Sequence, residues 1–161
     1  MDVDQIMIRV AMVCMGNICR SPIAEHVFRG KAKTVGLEVE VASAGTGGWH
    51  VGEPADPRSI KVLADHGYTS HHSAQQFDST WFSRFDFIIV MDDDNFRAVV
   101  SQAPDDIAKS KVRSLMDFYT GTASDRIVPD PYYGAAEGFV HVLRLIENAS
   151  DGLIEFLKEN Q

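Results

Sequence analysis

Residues 6–13, IMIRVAMV, form a mostly apolar run rich in branched side chains, which predicts a strand buried in a parallel sheet. Beyond a short polar stretch, Ser21 and Pro22 supply an N-cap and a first helical residue. They predict a helix with Ile23, Val27 and Phe28 on its apolar face and Gly36 at its end. LEVEVASA (37–44) alternates as a strand does and runs into the glycine-rich stretch GTGGW. Residues 57–66 read as a helix, and FDFIIVMD (85–92) as a second buried strand. Asp92 to Asp94 then stand where the positive dipole end of another helix would lie. KVRSLM (111–116) predicts a short strand, and apolar residues from Phe139 to Leu157 recur at helical spacing. Strands that alternate with helices predict an α/β fold, a parallel sheet with helices on both faces. Ligands bind such sheets beyond the carboxyl ends of the strands.

The chain has 161 residues, and we expect one domain over 1–161 with residues 1–5 flexible. Nothing repeats at a fixed period. The longest apolar run, Val10 to Met15, is far short of the roughly 20 residues that cross a bilayer, so no membrane insertion is expected. A formal net charge of -8 argues against nucleic-acid binding, which depends on an excess of Lys and Arg. Any bound anion must therefore be held by a local site. MDVDQ carries no basic signal region, and two cysteines do not make a disulfide scaffold. The expected location is the cytoplasm.

Both cysteines fall in CMGNICRS (14–21), directly after the first predicted strand. Cys14 and Arg20 are separated by five residues and followed by Ser21. A loop of this length entering a helix can turn the N–H groups of Met15, Gly16, Asn17, Ile18, Cys19 and Arg20 toward one anion. Arg20 adds a planar fork suited to phosphate oxygens. Gly16 tolerates unusual backbone geometry, and Asn17 accepts a left-handed one. Such a cradle favours a thiolate at Cys14, an in-line nucleophile for a bound phosphoryl group. Cys19 is a candidate resolving thiol should Cys14 be oxidised. A leaving alkoxide or phenoxide needs a proton, and Asp130 in VPDPYYG (128–134) is the candidate donor. Pro129 and Pro131 make that segment a stiff loop, and the two tyrosines after it can wall a slot for a flat ring.

With these motifs the chain resembles the low-molecular-weight protein tyrosine phosphatases. The likeness spans nearly the whole chain and includes VCMGNICRSPIAEHVF, SAGTGGWHVG (43–52), MDDDN (91–95) and DPYYG (130–134), in order. It implies a flavodoxin-like fold with a four-stranded parallel sheet. It implies a two-step reaction on phosphotyrosine proteins, with Cys14 as nucleophile, Asp130 as acid and then base, and Arg20 with the loop amides as the phosphoryl cradle. It implies that Ser21 bonds the thiolate, that Ser43 and His72 brace Asn17, and that Met15, Trp49, Tyr132 and Tyr133 line the slot. Gln75 stands where the family commonly has an arginine. The resemblance implies no metal and no cofactor, and inhibition by phosphate and other oxyanions.

Three other readings compete with this one. Arsenate reduction on the same fold needs resolving cysteines far along the chain, and none follows Cys19. The resembling phosphoarginine phosphatases carry threonine where this chain has Ile18 and lack the tyrosine pair. A catalytically inactive phosphate-binding module would need neither Cys14 nor Asp130.

Overall fold

The computed structural model describes residues 7–122 and 126–160, so the expected flexibility of residues 1–5 falls outside the described residues. Strand β1 (Ile8–Cys14) leads into α1 (Arg20–Thr34), then β2 (Val39–Gly45) and α2 (Pro57–Asp65). The short α3 (Trp81–Arg84) precedes β3 (Phe87–Val90), α4 (Asp93–Val100), α5 (Asp106–Ser110) and β4 (Val112–Ser114). A 3₁₀ turn, Leu115–Phe118, and the long α6 (Ala136–Glu159) complete the chain. The sheet has four parallel strands in the order β2-β1-β3-β4. This is the doubly wound α/β architecture that the alternating pattern predicts.

The burial of β1 explains its unbroken apolar run. Val10 and Met12 point into a core shared with α1, α2 and α6, including Val27, Phe28, Phe139, Val142 and Ile146. Ala11 and Val13 point into the opposite core, with Phe77, Trp81, Phe82, Phe85 and Val99. Successive strand residues face opposite ways, so a strand covered on both sides needs apolar residues at each position.

Helix α1 ends in a turn of recognisable geometry. Gly36 has φ 73°, its N–H donates to Lys33 O, and the Leu37 N–H donates to Ala32 O. These paired bonds satisfy the last carbonyls, and the left-handed residue between them is the glycine expected there. At its start the sequence expectation fails. Ser21 is not the N-cap: α1 begins at Arg20, Cys19 occupies the capping position, and no side chain caps it. The left-handed turn at Asn17 closes the loop early, and the Ser21 hydroxyl is spent inside the loop instead. Carboxylates cap α2, α4 and α5, as Asp56, Asp92 and Asp105 accept from Arg58, Asn95 and Ala108 N–H groups. Among the described residues, no helix is long and apolar enough to cross a membrane.

Candidate active site

The strand order reverses direction about β1, which has β2 on one side and β3 on the other. Loops leaving the carboxyl ends of β1 and β3 therefore part around a crevice, the usual ligand position in such sheets. Residues 14–20 form one wall of it. The Asn17 backbone has φ 58° and folds the loop back over Cys14. The Asn17 N–H points at the Cys14 sulfur at 3.3 Å, and Ser21 Oγ lies 3.0 Å from the same sulfur. Asn17 Nδ2 donates to Ser21 Oγ at 2.8 Å, which leaves the serine proton free to face the sulfur. This arrangement suits a thiolate acceptor.

Three further bonds hold the asparagine, and a fourth braces one of its partners. Its Nδ2 also donates to Ser43 Oγ at 3.0 Å, and its Oδ1 accepts from Gln75 N at 2.9 Å. Its backbone carbonyl accepts from His72 Nε2 at 2.6 Å. Ser43 Oγ in turn donates to Glu25 Oε1 at 2.5 Å. A buried network with every member satisfied fixes one conformation, here the one that aims the loop at the sulfur. His72 takes this place, whereas the neighbouring His71 uses its main-chain N–H to bond His26. Gln75 keeps a role despite standing where the resembling family has an arginine, as its Nε2 donates to Ser43 O. Gly45 lets β2 end against the loop: a Cβ there would stand 2.7 Å from Met15 O.

Burial lowers the His72 pKa from its usual value of 6.5, against the pull of its bond to Asn17 and of Glu25, and with the help of His26. Nε2–H is the donor to the Asn17 carbonyl, and the lowered pKa favours the neutral ring in the folded protein. The folded state then binds fewer protons than the unfolded chain near pH 6, and the contribution to stability present above 6.5 is lost as pH falls below it. We expect Tm to drop more between pH 7.5 and 5.5 in the parent than in His72→Gln. Thermal unfolding at the two pH values checks this, and equal drops would remove His72 as the cause.

Arg20 is only 3% exposed and is committed on several sides. One Nη1 contact reaches Asp92 Oδ2 at 2.6 Å and another Val128 O at 3.0 Å, while Nη2 lies 3.8 Å from Asp130 Oδ2. Burial opposes its charge, but Cys14, Asp92 and Asp130 outweigh it and raise the Arg20 pKa. Sequence reasoning placed Asp92 only at a helix start. The register Val13↔Val90 brings it opposite the cradle, where one carboxylate caps α4 and orients Arg20. Glu25 was missed too, although a carboxylate among the apolar residues of α1 is a signal in itself.

A cleft of about 350 Å³ opens above Cys14 and Arg20. Asp130 lines it, with Oδ1 accepting from Tyr132 N at 3.1 Å. Met15, Trp49, Tyr132 and Tyr133 stand around the mouth, joined by His50, which the sequence did not single out. Trp49 is 70% exposed and lies over Gly47, where a Cβ would collide with its ring. Tyr133 is 93% exposed, and its ring meets that of Tyr132 edge to face at 4.9 Å. Ile18 and Cys19 also border the cleft. Burial, then Asp56 and Cys14, push the Cys19 thiol up to about 12. It therefore stays protonated near neutrality, a poor attacking group toward an oxidised Cys14. Among the described residues, no three potential metal ligands gather into one group.

The fold and site together define a class: doubly wound α/β proteins that set a thiol beneath an arginine-bearing anion cradle. The profile described as low molecular weight phosphotyrosine protein phosphatase matches residues 9–161, and the chain belongs to that family. A low molecular weight protein-tyrosine-phosphatase from Streptomyces coelicolor is 50% identical, with 94% of each chain covered. The crystal structure of a protein tyrosine phosphatase from Entamoeba histolytica is 37% identical with a TM-score of 0.91, covering 95% of this chain and 98% of that one. The arginine phosphatase YwlE is also similar in structure, 26% identical with a TM-score of 0.86, covering 96% of this chain and 98% of its own.

Proposed function

We propose that the protein hydrolyses phosphotyrosine monoesters on proteins through a phosphocysteine intermediate. The observation that carries this reading is one cleft of about 350 Å³ lined by Cys14, Arg20 and Asp130 together with Trp49, Tyr132 and Tyr133. The Cys14 sulfur attacks phosphorus, the P–O bond to the tyrosine oxygen breaks, and Asp130 gives its proton to that oxygen. Water then attacks the phosphocysteine while Asp130 takes its proton. The S–P bond breaks, inorganic phosphate leaves, and the Ser21 hydroxyl stabilises the returning thiolate. Arg20 and the amides from Met15 to Arg20 hold the equatorial oxygens, with the greatest benefit in the transition state. No metal enters these steps.

Inorganic phosphate and similar oxyanions should compete for the same cradle. Ile18 borders the cleft and offers a ring an apolar surface but no hydrogen bond to a guanidinium. We expect the parent to turn over phosphotyrosine peptides with a much larger kcat/KM than phosphoarginine or phosphoserine peptides. Ile18→Thr, which keeps the branch at Cβ and replaces an ethyl group with a hydroxyl, should raise phosphoarginine turnover relative to phosphotyrosine. Side-by-side kcat/KM values decide both points. A parent that prefers phosphoarginine would replace the proposed substrate, and a parent that binds phosphate without turnover would make the protein a binding module.

A further inference from the structure

The segment Asp56 to Ser59 supplies none of the three groups given chemical roles above, yet it touches both loops that carry them. Toward the cradle, the Asp56 N–H donates to Ile18 O at 2.8 Å and Ser59 Oγ donates to Cys19 O at 3.4 Å. Toward the Asp130 loop, Arg58 donates through Nη2 to Tyr132 O at 2.9 Å and through Nη1 to Gly134 O at 3.2 Å. The guanidinium is itself held by Asp56, with Nε 3.0 Å from Oδ1 and Nη2 2.9 Å from Oδ2. Its central carbon sits 4.5 Å from the Phe139 ring centre on α6 and 5.7 Å from that of Tyr132. Asp56 is buried, and Arg58 holds its carboxyl below the usual carboxylate range.

We propose that Asp56 and Arg58 are positioning residues, a yoke that sets Asp130 at a fixed place relative to Cys14. This rests on the reading of Asp130 as the proton donor. The loop around Asp130 belongs to no helix or strand, and Pro129 and Pro131 deprive it of two N–H groups for tying itself down. Its outward carbonyls are acceptors in search of donors, and one planar fork meets two of them while keeping both bonds to Asp56. The loop is stiff inside: Tyr132 N donates to Asp130 Oδ1, and Gly134 N donates to Pro131 O at 3.0 Å. Fixing Tyr132 and Gly134 from outside therefore fixes the Asp130 carboxyl. The other end of the yoke rests on the cradle's own carbonyls, so the acid and the nucleophile share one support. A guanidinium partly open to solvent adds little through its charge, and its value here is geometric.

Arg58→Met keeps an unbranched, flexible side chain and removes the fork, the guanidinium over Phe139 included. For phenyl phosphate, whose leaving group needs a proton, kcat/KM should fall about 10- to 100-fold, the usual cost of a small misplacement in a site. For para-nitrophenyl phosphate, whose phenolate leaves without one, the fall should be several times smaller. Arg58→Lys should recover only part, because an ammonium cannot span both carbonyls and Asp56. Amide hydrogen exchange at Tyr132 and Gly134 should quicken in Arg58→Met while that at Asn17 stays as in the parent. Equal losses on the two substrates, or unchanged exchange at Tyr132 and Gly134, would overturn the yoke. A parent without aryl phosphate turnover would instead strike the proposed function, and the exchange measurement would still decide whether Arg58 ties the loop.

Discussion

Cys14→Ser is expected to abolish turnover of aryl phosphates, with a loss of more than about 10⁴-fold, while inorganic phosphate still binds within a few-fold of the parent. Loss of a nucleophile typically costs this much or more in kcat. A serine hydroxyl at position 14 would remain protonated, because the groups around it include no base set to take its proton: Ser21 and the Asn17 N–H are donors to the sulfur position. Binding should survive because it resides elsewhere. Arg20 is fixed by Asp92 and Val128, and the loop is fixed by Asn17 and its partners Ser43, His72 and Gln75. None of these contacts uses the Cys14 side chain. Calorimetric titration with phosphate, beside a turnover assay, makes the test. Appreciable activity in the variant would remove Cys14 from its role, and lost phosphate binding would mean that the sulfur itself organises the cradle.

What the sequence revealed and what it concealed follow from the range of the forces involved. Strand β1 was legible because burial on both faces leaves an unbroken apolar run, and α6 because its stripe is long. Helices α3 and α5 were missed, being four and five residues long, too short for a helical period to emerge. Except for Asp130, the residues proposed to do chemistry lie close together in sequence, from 14 to 21, so their spacing alone suggested a cradle. The residues that hold them come from far along the chain. Asp92 is 72 positions from Arg20, and its place opposite the cradle exists only once β3 pairs with β1. Its local role as a helix cap was a sufficient explanation of the sequence and hid the second one.

Ser21 and Arg58 make the same point from the other side. Ser21 before Pro22 reads as an N-cap, and the local rule is sound, yet the hydroxyl stands 3.0 Å from the Cys14 sulfur and α1 begins without a side-chain cap. Asp56 caps α2 and Arg58 lies just inside that helix, but their joint reach to Tyr132 and Gly134 crosses more than 70 residues. For Ser21, tertiary contact reassigns a group that local pattern had already accounted for, and for Arg58 it supplies a role that local pattern could not show.

Asp130→Asn is the prediction that tests the chemistry most directly, since it changes a proton donor into an amide of the same shape. For phenyl phosphate we expect kcat/KM to fall roughly 10²–10⁴-fold, the usual worth of a positioned acid. The Tyr132 N–H contact to the position of Oδ1 can persist with the amide oxygen, so the loop should keep its place. The loss should shrink for para-nitrophenyl phosphate, whose leaving group is stable as an anion. The limb of the pH profile of kcat/KM that reports the acid should vanish in the variant. The second step should slow as well, because the same carboxylate is the base that takes the water's proton. A stopped-flow trace with para-nitrophenyl phosphate should then show a burst of nitrophenol close to one equivalent, followed by slow release as the phosphocysteine hydrolyses. Arg20 Nη2 lies 3.8 Å from Asp130 Oδ2, so the exchange also removes a negative charge from beside the arginine. Phosphate should accordingly bind no more weakly than in the parent. An unchanged pH profile, together with an equal loss on the two aryl phosphates, would assign the proton to another group and leave Asp130 as a wall of the cleft.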